Sequence, residues 1–411
     1  MDTAFLLKRS QLVRGAFLIG AATLTLLALG YTRPAAAQRN GAPRRNPSPV
    51  QIQPTGPRPE WAPTIDPQMQ AVVEQLEAFH APPLTELTAV QARETPTATD
   101  AVDALLMKTG HPPMPSTVEI GHRVLPVGPE DGMLVRTYTP RGAAEPLPVI
   151  VYYHGGGWAI ANLGTYEPSA RALAEKTGAM VVSVAYRQAP EHRFPTAHED
   201  SFAAYQWITE NADELGADPN RIAVAGESAG GNLAVAVALR AREQGVRPPI
   251  HILAVYPIAD GDTESASYDE YAEARPLNRP MMQWFFDQYL EETDDAQNPW
   301  ISLVDADLNR LPTTTILNAE IDPLRSDGEE LAQRMRSAGV SVQQRTYPGV
   351  THEFFGMSAV LDQADQAQDL AAQRLRQSFG TQTTRTPTAR PTERVLGSRQ
   401  SERVRTRRPA R

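Results

Sequence analysis

Ser228 stands in the run Gly226-Glu227-Ser228-Ala229-Gly230-Gly231, between an apolar stretch of strand character, Arg221 to Ala225, and a helical stretch predicted from Ala229 to Gln244. A serine hydroxyl is a poor nucleophile near neutral pH. It attacks an acyl carbon only when a base takes its proton and a carboxylate fixes the tautomer of that base and stabilises its cation. The spacing Gly-x-Ser-x-Gly alone arises by chance in roughly one chain in ten, so it decides little. The setting decides more. A serine on a sharp strand-to-helix turn has strained backbone angles and needs neighbours without side chains, which Gly226 and Gly230 supply.

Partners for such a serine occur at three other predicted strand ends. His154-Gly155-Gly156-Gly157-Trp158 follows the apolar run Leu147 to Tyr153. Its glycines allow backbone N–H groups close to a reacting oxygen, and the amides of Gly155, Gly156, Gly157 and Ala229 are candidate donors to a tetrahedral oxyanion. Losing one such donor typically costs about 3–4 kcal/mol of transition-state stabilisation. A phosphate loop is disfavoured because no Lys-Ser/Thr follows. His154 is expected to shape the loop through a hydrogen bond. Asp322 follows the predicted strand Thr314 to Ala319, with Glu320 and Asp327 as competing acids. His352 follows the strand 342–347. The chain order Ser228, Asp322, His352, each in a strand-end loop, makes these three the candidate nucleophile, acid and base.

The elements that must position them alternate. Short strands rich in Val and Ile are separated by helical patterns of ten or more residues, which indicates an α/β chain with a mostly parallel sheet covered by helices on both faces. Ligand sites in such sheets lie at the carboxyl ends of the strands. Two segments fall outside the alternation. Residues 66–108 read as two amphipathic helical stretches broken by Pro82-Pro83, and residues 263–300 hold Met281, Met282, Trp284, Phe285, Phe286 and Tyr289. Both are expected to form a helical cap, the second offering an apolar wall to an acyl group.

The motifs together resemble the bacterial hormone-sensitive-lipase-like family of carboxylesterases over residues 61–380. The resemblance rests on the glycine run ending in Trp158, the elbow around Ser228, Asp322-Pro323-Leu324-Arg325, and His352 followed by Glu353-Phe354. It rests also on the run Tyr186-Arg187-Gln188-Ala189-Pro190-Glu191, read as a rigid turn with a buried Arg187 pair. The resemblance implies the α/β-hydrolase fold with an eight-stranded sheet and a helical cap drawn from residues 61–110 and 263–300. It implies hydrolysis of short- to medium-chain acyl esters, a small-molecule substrate, and no metal or cofactor. The same groups serve acyl transfer from nitrogen, so an amidase such as an arylformamidase stays open. A non-catalytic ligand receptor of this fold would lack the histidine that is present here.

Charge and composition bound the remaining classes. Of the 411 residues none is cysteine, so disulfides, zinc–thiolate sites, iron–sulfur clusters and a thiol nucleophile are excluded. Residues 61–380 carry 22 basic and 44 acidic side chains, and such a body repels nucleic-acid phosphates. The ends differ from the body. Residues 1–37 have basic side chains, an apolar run from Gly15 to Tyr31 and Ala35-Ala36-Ala37, the layout of a cleavable signal peptide. Export to the periplasm or beyond is the expectation, with an uncleaved membrane anchor as the alternative. Lys8-Arg9 resembles a twin-arginine signal, so the export route stays open. Residues 38–60 read as a disordered Pro- and Arg-rich linker. Residues 381–411 read as a disordered basic tail with nine Arg, suited to an anionic envelope surface.

Overall fold

A computed structural model of the protein describes residues 50–112, 116–128 and 132–381. The signal peptide expected at 1–37, the first part of the linker and all but the first residue of the basic tail lie outside the described residues.

Eight strands form one sheet: β1 (Val118–Leu125), β2 (Met133–Pro140), β3 (Leu147–Tyr153), β4 (Met180–Val184), β5 (Ala217–Glu227), β6 (Ile252–Val255), β7 (Thr314–Ile321) and β8 (Val342–Thr351). Their order is β1-β2-β4-β3-β5-β6-β7-β8. The contacts of β1 with β2 and of β2 with β4 are antiparallel, and every later contact is parallel. The helices are α1 (Pro67–Glu77), α2 (Ala89–Ala92), α3 (Ala98–Lys108), α4 (Glu167–Thr177), α5 (Thr196–Glu210), α6 (Ala229–Glu243), α7 (Ala266–Glu270), α8 (Arg279–Tyr289), α9 (Arg325–Ser337) and α10 (Asp362–Phe379).

Side-chain alternation along the central strands divides the core in two. Val149, Val151 and Tyr153 of β3 face one cluster, with Ile222 and Val224 of β5 and the apolar sides of α5, α6 and α9. Ile150 and Tyr152 face the other, with Ala223 and Ala225 of β5 and the apolar sides of α4 and α10. β3 and β4 are buried at every position, as strands covered on both faces must be. The helices between parallel strands begin and end with local devices. Gly178, in the left-handed region at φ 74°, closes α4, and Gly380, at φ 70°, closes α10.

Two sequence expectations are corrected. Residues 50–60 do not form a free linker. Ile52 is buried, the Val50 amide donates to Ala359 O, and Glu74 of α1 accepts from Thr55 N, Thr55 Oγ1 and Gly56 N. One apolar anchor and one carboxylate hold the segment although its composition is that of a linker. Residues 66–108 form three helices instead of two stretches, because Pro96 interrupts the chain again and Thr88 and Thr97 each start a new helix with a capping box. The turn at Tyr186–Glu191 carries the expected Arg187 pair, but only its acid is buried, the arginine side chain remaining 32% exposed. Arg187 donates through Nε (2.8 Å), Nη2 (2.7 Å) and its amide (3.0 Å) to the buried carboxylate of Asp200 on α5.

The join between β5 and α6 has no slack. A Cβ on Gly226 would lie 2.0 Å from Gly230 O, and one on Gly230 would lie 2.0 Å from Tyr153 O. Both obstacles are backbone, so nothing nearby can swing aside. Gly230→Ala is therefore expected to lower unfolding stability by about 3 kcal/mol, the upper end for overpacking, in urea denaturation. A loss below about 0.5 kcal/mol, the scale of a harmless surface change, would contradict the contact.

Candidate active site

Ser228 sits between β5 and α6 at φ 58° and ψ −123°, a backbone conformation that side-chain-bearing residues rarely adopt. The turn is tied on both sides. Ser228 N donates to Val255 O of β6, and Ser228 O accepts from Asn232 N in α6. The side chain is thereby presented beside the N-terminus of α6, where the amide of Ala229 has no intrahelical partner.

The glycine loop leaves β3 next to this turn. Gly156 and Gly157 have φ of 96° and 56°, and Gly156 O accepts from the amides of Ala159 and Ile160, closing a tight turn. Among the described residues, no turn, loop or capping bond is donated by the amides of Gly155, Gly156 or Gly157. Gly155 is enclosed by two other segments, since a Cβ there would meet Tyr166 Oη at 2.3 Å and Glu227 O at 3.0 Å. Gly157 faces α8, where Phe285 fills the space a Cβ would need. Tyr289 of α8 stacks on Trp158 with ring centroids 4.6 Å apart. Side chains from elsewhere pin the loop exit. Arg93 donates to Ala159 O (2.8 Å) and pairs with Glu191, and Gln188 Nε2 donates to Ile160 O (2.7 Å). His154 shapes the loop as expected, its Nδ1 lying 2.8 Å from Gly155 O with the ring stacked on Tyr186. Burial drives its pKa down to about 4, which holds the ring neutral near pH 7.

His352 and Asp322 meet. The ring Nδ1 lies 2.7 Å from Asp322 Oδ2, and both side chains are almost wholly buried. Asp322 Oδ1 accepts from Leu324 N at 2.9 Å, which fixes the carboxylate. The competing acids are engaged elsewhere. Glu320 binds Thr64 Oγ1 and Gly349 N, and Asp327 binds the amides of Ala259 and Asp260. Burial by itself lowers the affinity of His352 for a proton. The charge and hydrogen bond of Asp322, with Glu353 and Glu227 nearby, outweigh that and raise its pKa above the ordinary value. Among the described residues Ser228 Oγ forms no hydrogen bond, with the His352 ring or with any other group. Serine–base contacts of this kind often tighten only when substrate binds.

Two further carboxyls stand beside these residues, Glu227 fully buried and Glu353 a quarter exposed, with partners that the sequence does not reveal. Glu227 is fully buried and accepts from the hydroxyls of Tyr152 and Tyr256. The Tyr256 ring in turn lies 4.4 Å, centroid to centroid, from that of His352. Glu353 accepts from Tyr166 Oη at 2.5 Å, and its Oε1 lies 3.9 Å from His352 Nε2. The tyrosines come from distant chain positions, so only the fold reveals the pairs. Among the described residues no cluster of His, Asp and Glu is arranged to hold a metal ion.

A family profile for the alpha/beta hydrolase fold matches residues 150–356. Carboxylesterase NlhH of Mycobacterium tuberculosis is 43% identical over 237 residues, 57% of this chain and 74% of that protein. Ethyl acetate hydrolase of Pseudomonas putida is 34% identical over 248 residues, 59% of this chain and 78% of that protein. Among solved structures, an alpha/beta hydrolase enzyme from the metagenome of Lake Arreo superposes with a TM-score of 0.70 at 35% identity, covering 77% of this chain and 99% of its own. A hyperthermophilic esterase of Pyrobaculum calidifontis gives 0.70 at 34% identity, covering 76% and 98%.

Burial raises the Glu227 pKa from 4.5 to about 7, against the hydrogen bonds that favour its charged form. The folded protein therefore holds a proton that the unfolded chain releases, and the associated stability is lost as pH rises from 4.5 through about 7. Between pH 5 and 8 the thermal midpoint of the wild type is expected to fall relative to that of Glu227→Gln. A difference between the two proteins that stays constant across this range would contradict the assignment.

Proposed function

The chain belongs to the hormone-sensitive-lipase-like family of α/β-hydrolases and is a carboxylic ester hydrolase, and from that premise we propose that Ser228 is its nucleophile, His352 its general base and Asp322 the acid that orients the base. The observation that carries this reading is the buried bond of His352 Nδ1 to Asp322 at the same sheet end as the strained Ser228 turn.

In this mechanism His352 Nε2 takes the Ser228 proton as Oγ attacks the ester carbonyl. The carbonyl oxygen becomes an oxyanion facing the amides of Gly156, Gly157 and Ala229, while Gly155 secures the loop from behind. Asp322 keeps the Nδ1 proton in place and stabilises the imidazolium. The imidazolium gives its proton to the departing alcohol, and water, deprotonated by the same ring, releases the acid from Ser228. The aromatic face of α8, with Phe285 against Gly157, is the wall for the acyl group, which suits short to medium chains. In this reading α8 and the helices of residues 61–110 are the cap. In the same reading the signal-like layout of residues 1–37 supports export out of the cytoplasm, and the arginine-rich tail would hold the protein at an anionic envelope surface.

Hydrolysis of p-nitrophenyl butyrate tests the assignment. Ser228→Ala and His352→Ala are each expected to lower kcat by at least about a thousandfold, because the triad acts as a unit, with folding preserved by circular dichroism. Activity within tenfold of wild type in either variant would overturn it. For export, expression of the full chain in a bacterial host is expected to yield mature protein beginning at Gln38 outside the cytoplasm. Full-length protein retained in the cytoplasm would contradict that part of the reading.

A further inference from the structure

Glu353 occupies a position that its own backbone resists. It follows His352 at φ 70°, the left-handed region, where a side chain is unfavourable. Such strain persists where surroundings impose it, and it clusters at functional sites. The surroundings here are specific. Tyr166 Oη donates to Oε1 at 2.5 Å and lies against Gly155 of the glycine loop. The same Oε1 is 3.9 Å from His352 Nε2, and a quarter of the side chain remains exposed.

The second oxygen, Oε2, receives no hydrogen bond among the described residues. Among those residues no Arg or Lys forms an ion pair with Glu353, Asp322 or Glu227. One oxygen is therefore fixed by Tyr166, and the other has no protein partner among the described residues, on a side chain that is a quarter exposed. His352 Nε2 is the atom that must face the departing alcohol oxygen, since it delivers the proton there. A carboxylate 3.9 Å from Nε2 consequently borders the alcohol half of a bound ester.

We propose that Glu353 selects esters whose alcohol half carries a positive charge, such as those of quaternary or protonated amino alcohols, by placing a carboxylate beside the leaving oxygen. This rests on the reading of Ser228 and His352 as nucleophile and base. The overall acidity of the body attracts any cation, so the local effect must be separated from the general field.

The experiment compares kcat/KM for butyrylcholine with that for 3,3-dimethylbutyl butyrate, its neutral carbon isostere, in the purified full chain. The cation-to-neutral ratio is expected to fall about fivefold or more in Glu353→Gln, the upper range for a partly exposed charge pair. Glu353→Gly, which relieves the left-handed strain, is expected to show the same fall and covers the case in which the glutamine variant does not fold. Asp213→Asn, an exposed acid just before β5 and so at the opposite end of that strand from Ser228, is expected to leave the ratio at the wild-type value. An unchanged ratio in the Glu353 variants, or an equal fall in Asp213→Asn, would overturn the proposal while leaving the nucleophile assignment standing. A wild type that hydrolyses neither ester, or esterase activity that survives Ser228→Ala, would instead bring down the reading on which the proposal rests.

Discussion

A serine is held at φ 58° and ψ −123° only where the chain on either side cannot move, and the rest of the site depends on how that turn is fixed. Its fixing begins at a close backbone approach, where Gly226 and Gly230 leave no room for a methyl group against each other and against Tyr153 O. The end of β3 thus touches the β5–α6 turn directly. The glycine loop that continues β3 is brought beside Ser228 by the same contact, so Ser228 and the candidate oxyanion donors share one rigid junction. Parallel neighbours β6, β7 and β8 then bring Tyr256, Asp322 and His352 to the same edge. The strain is supported by bonds from β6 and α6, which turns stability elsewhere into a preorganised attack geometry.

Electrostatics gives the site a second layer. Three carboxyls, Glu227, Asp322 and Glu353, lie around a single imidazole, and tyrosine hydroxyls donate to both oxygens of Glu227 and to one of Glu353. Burial penalises charge on Glu227 and Glu353, and in the proposed mechanism His352 is the nearby group that becomes a cation. The transition state is the moment when negative charge around the ring is most favourable. The arrangement is therefore matched to an imidazolium and not to a resting neutral ring. Nothing comparable surrounds His154, whose low proton affinity suits a structural place in the loop.

Much of this could be read from the residues in order. Ser228, Asp322 and His352 announce themselves because each follows a short apolar strand, and strand ends in a parallel sheet converge. The glycine loop is equally plain. Glu353 stands next to His352 in the chain, yet its significance depends on Tyr166, and a residue so far off leaves no local pattern. Glu227 was legible as an acid in the elbow but not as a carboxyl held by Tyr152 and Tyr256. Residues 50–60 misled through composition, since Pro and Arg read as linker while a single Ile52 and one Glu74 decide the outcome. The outer strands β1 and β2 were also invisible as units. They leave Ile120, Val124 and Leu134 exposed, which blurs the alternation that marks a half-buried strand.

The central claim is that one hydroxyl, at the strained turn, forms the covalent acyl intermediate. Peptide mass spectrometry after reaction with a fluorophosphonate ester tests it most directly, because the reagent traps the attacking atom itself. A single phosphonyl group per chain, on the peptide containing Ser228, is the expected result, with its formation blocked by prior turnover of a slow ester substrate. A label on any other residue, or no label on protein that is hydrolysing esters, would contradict the account.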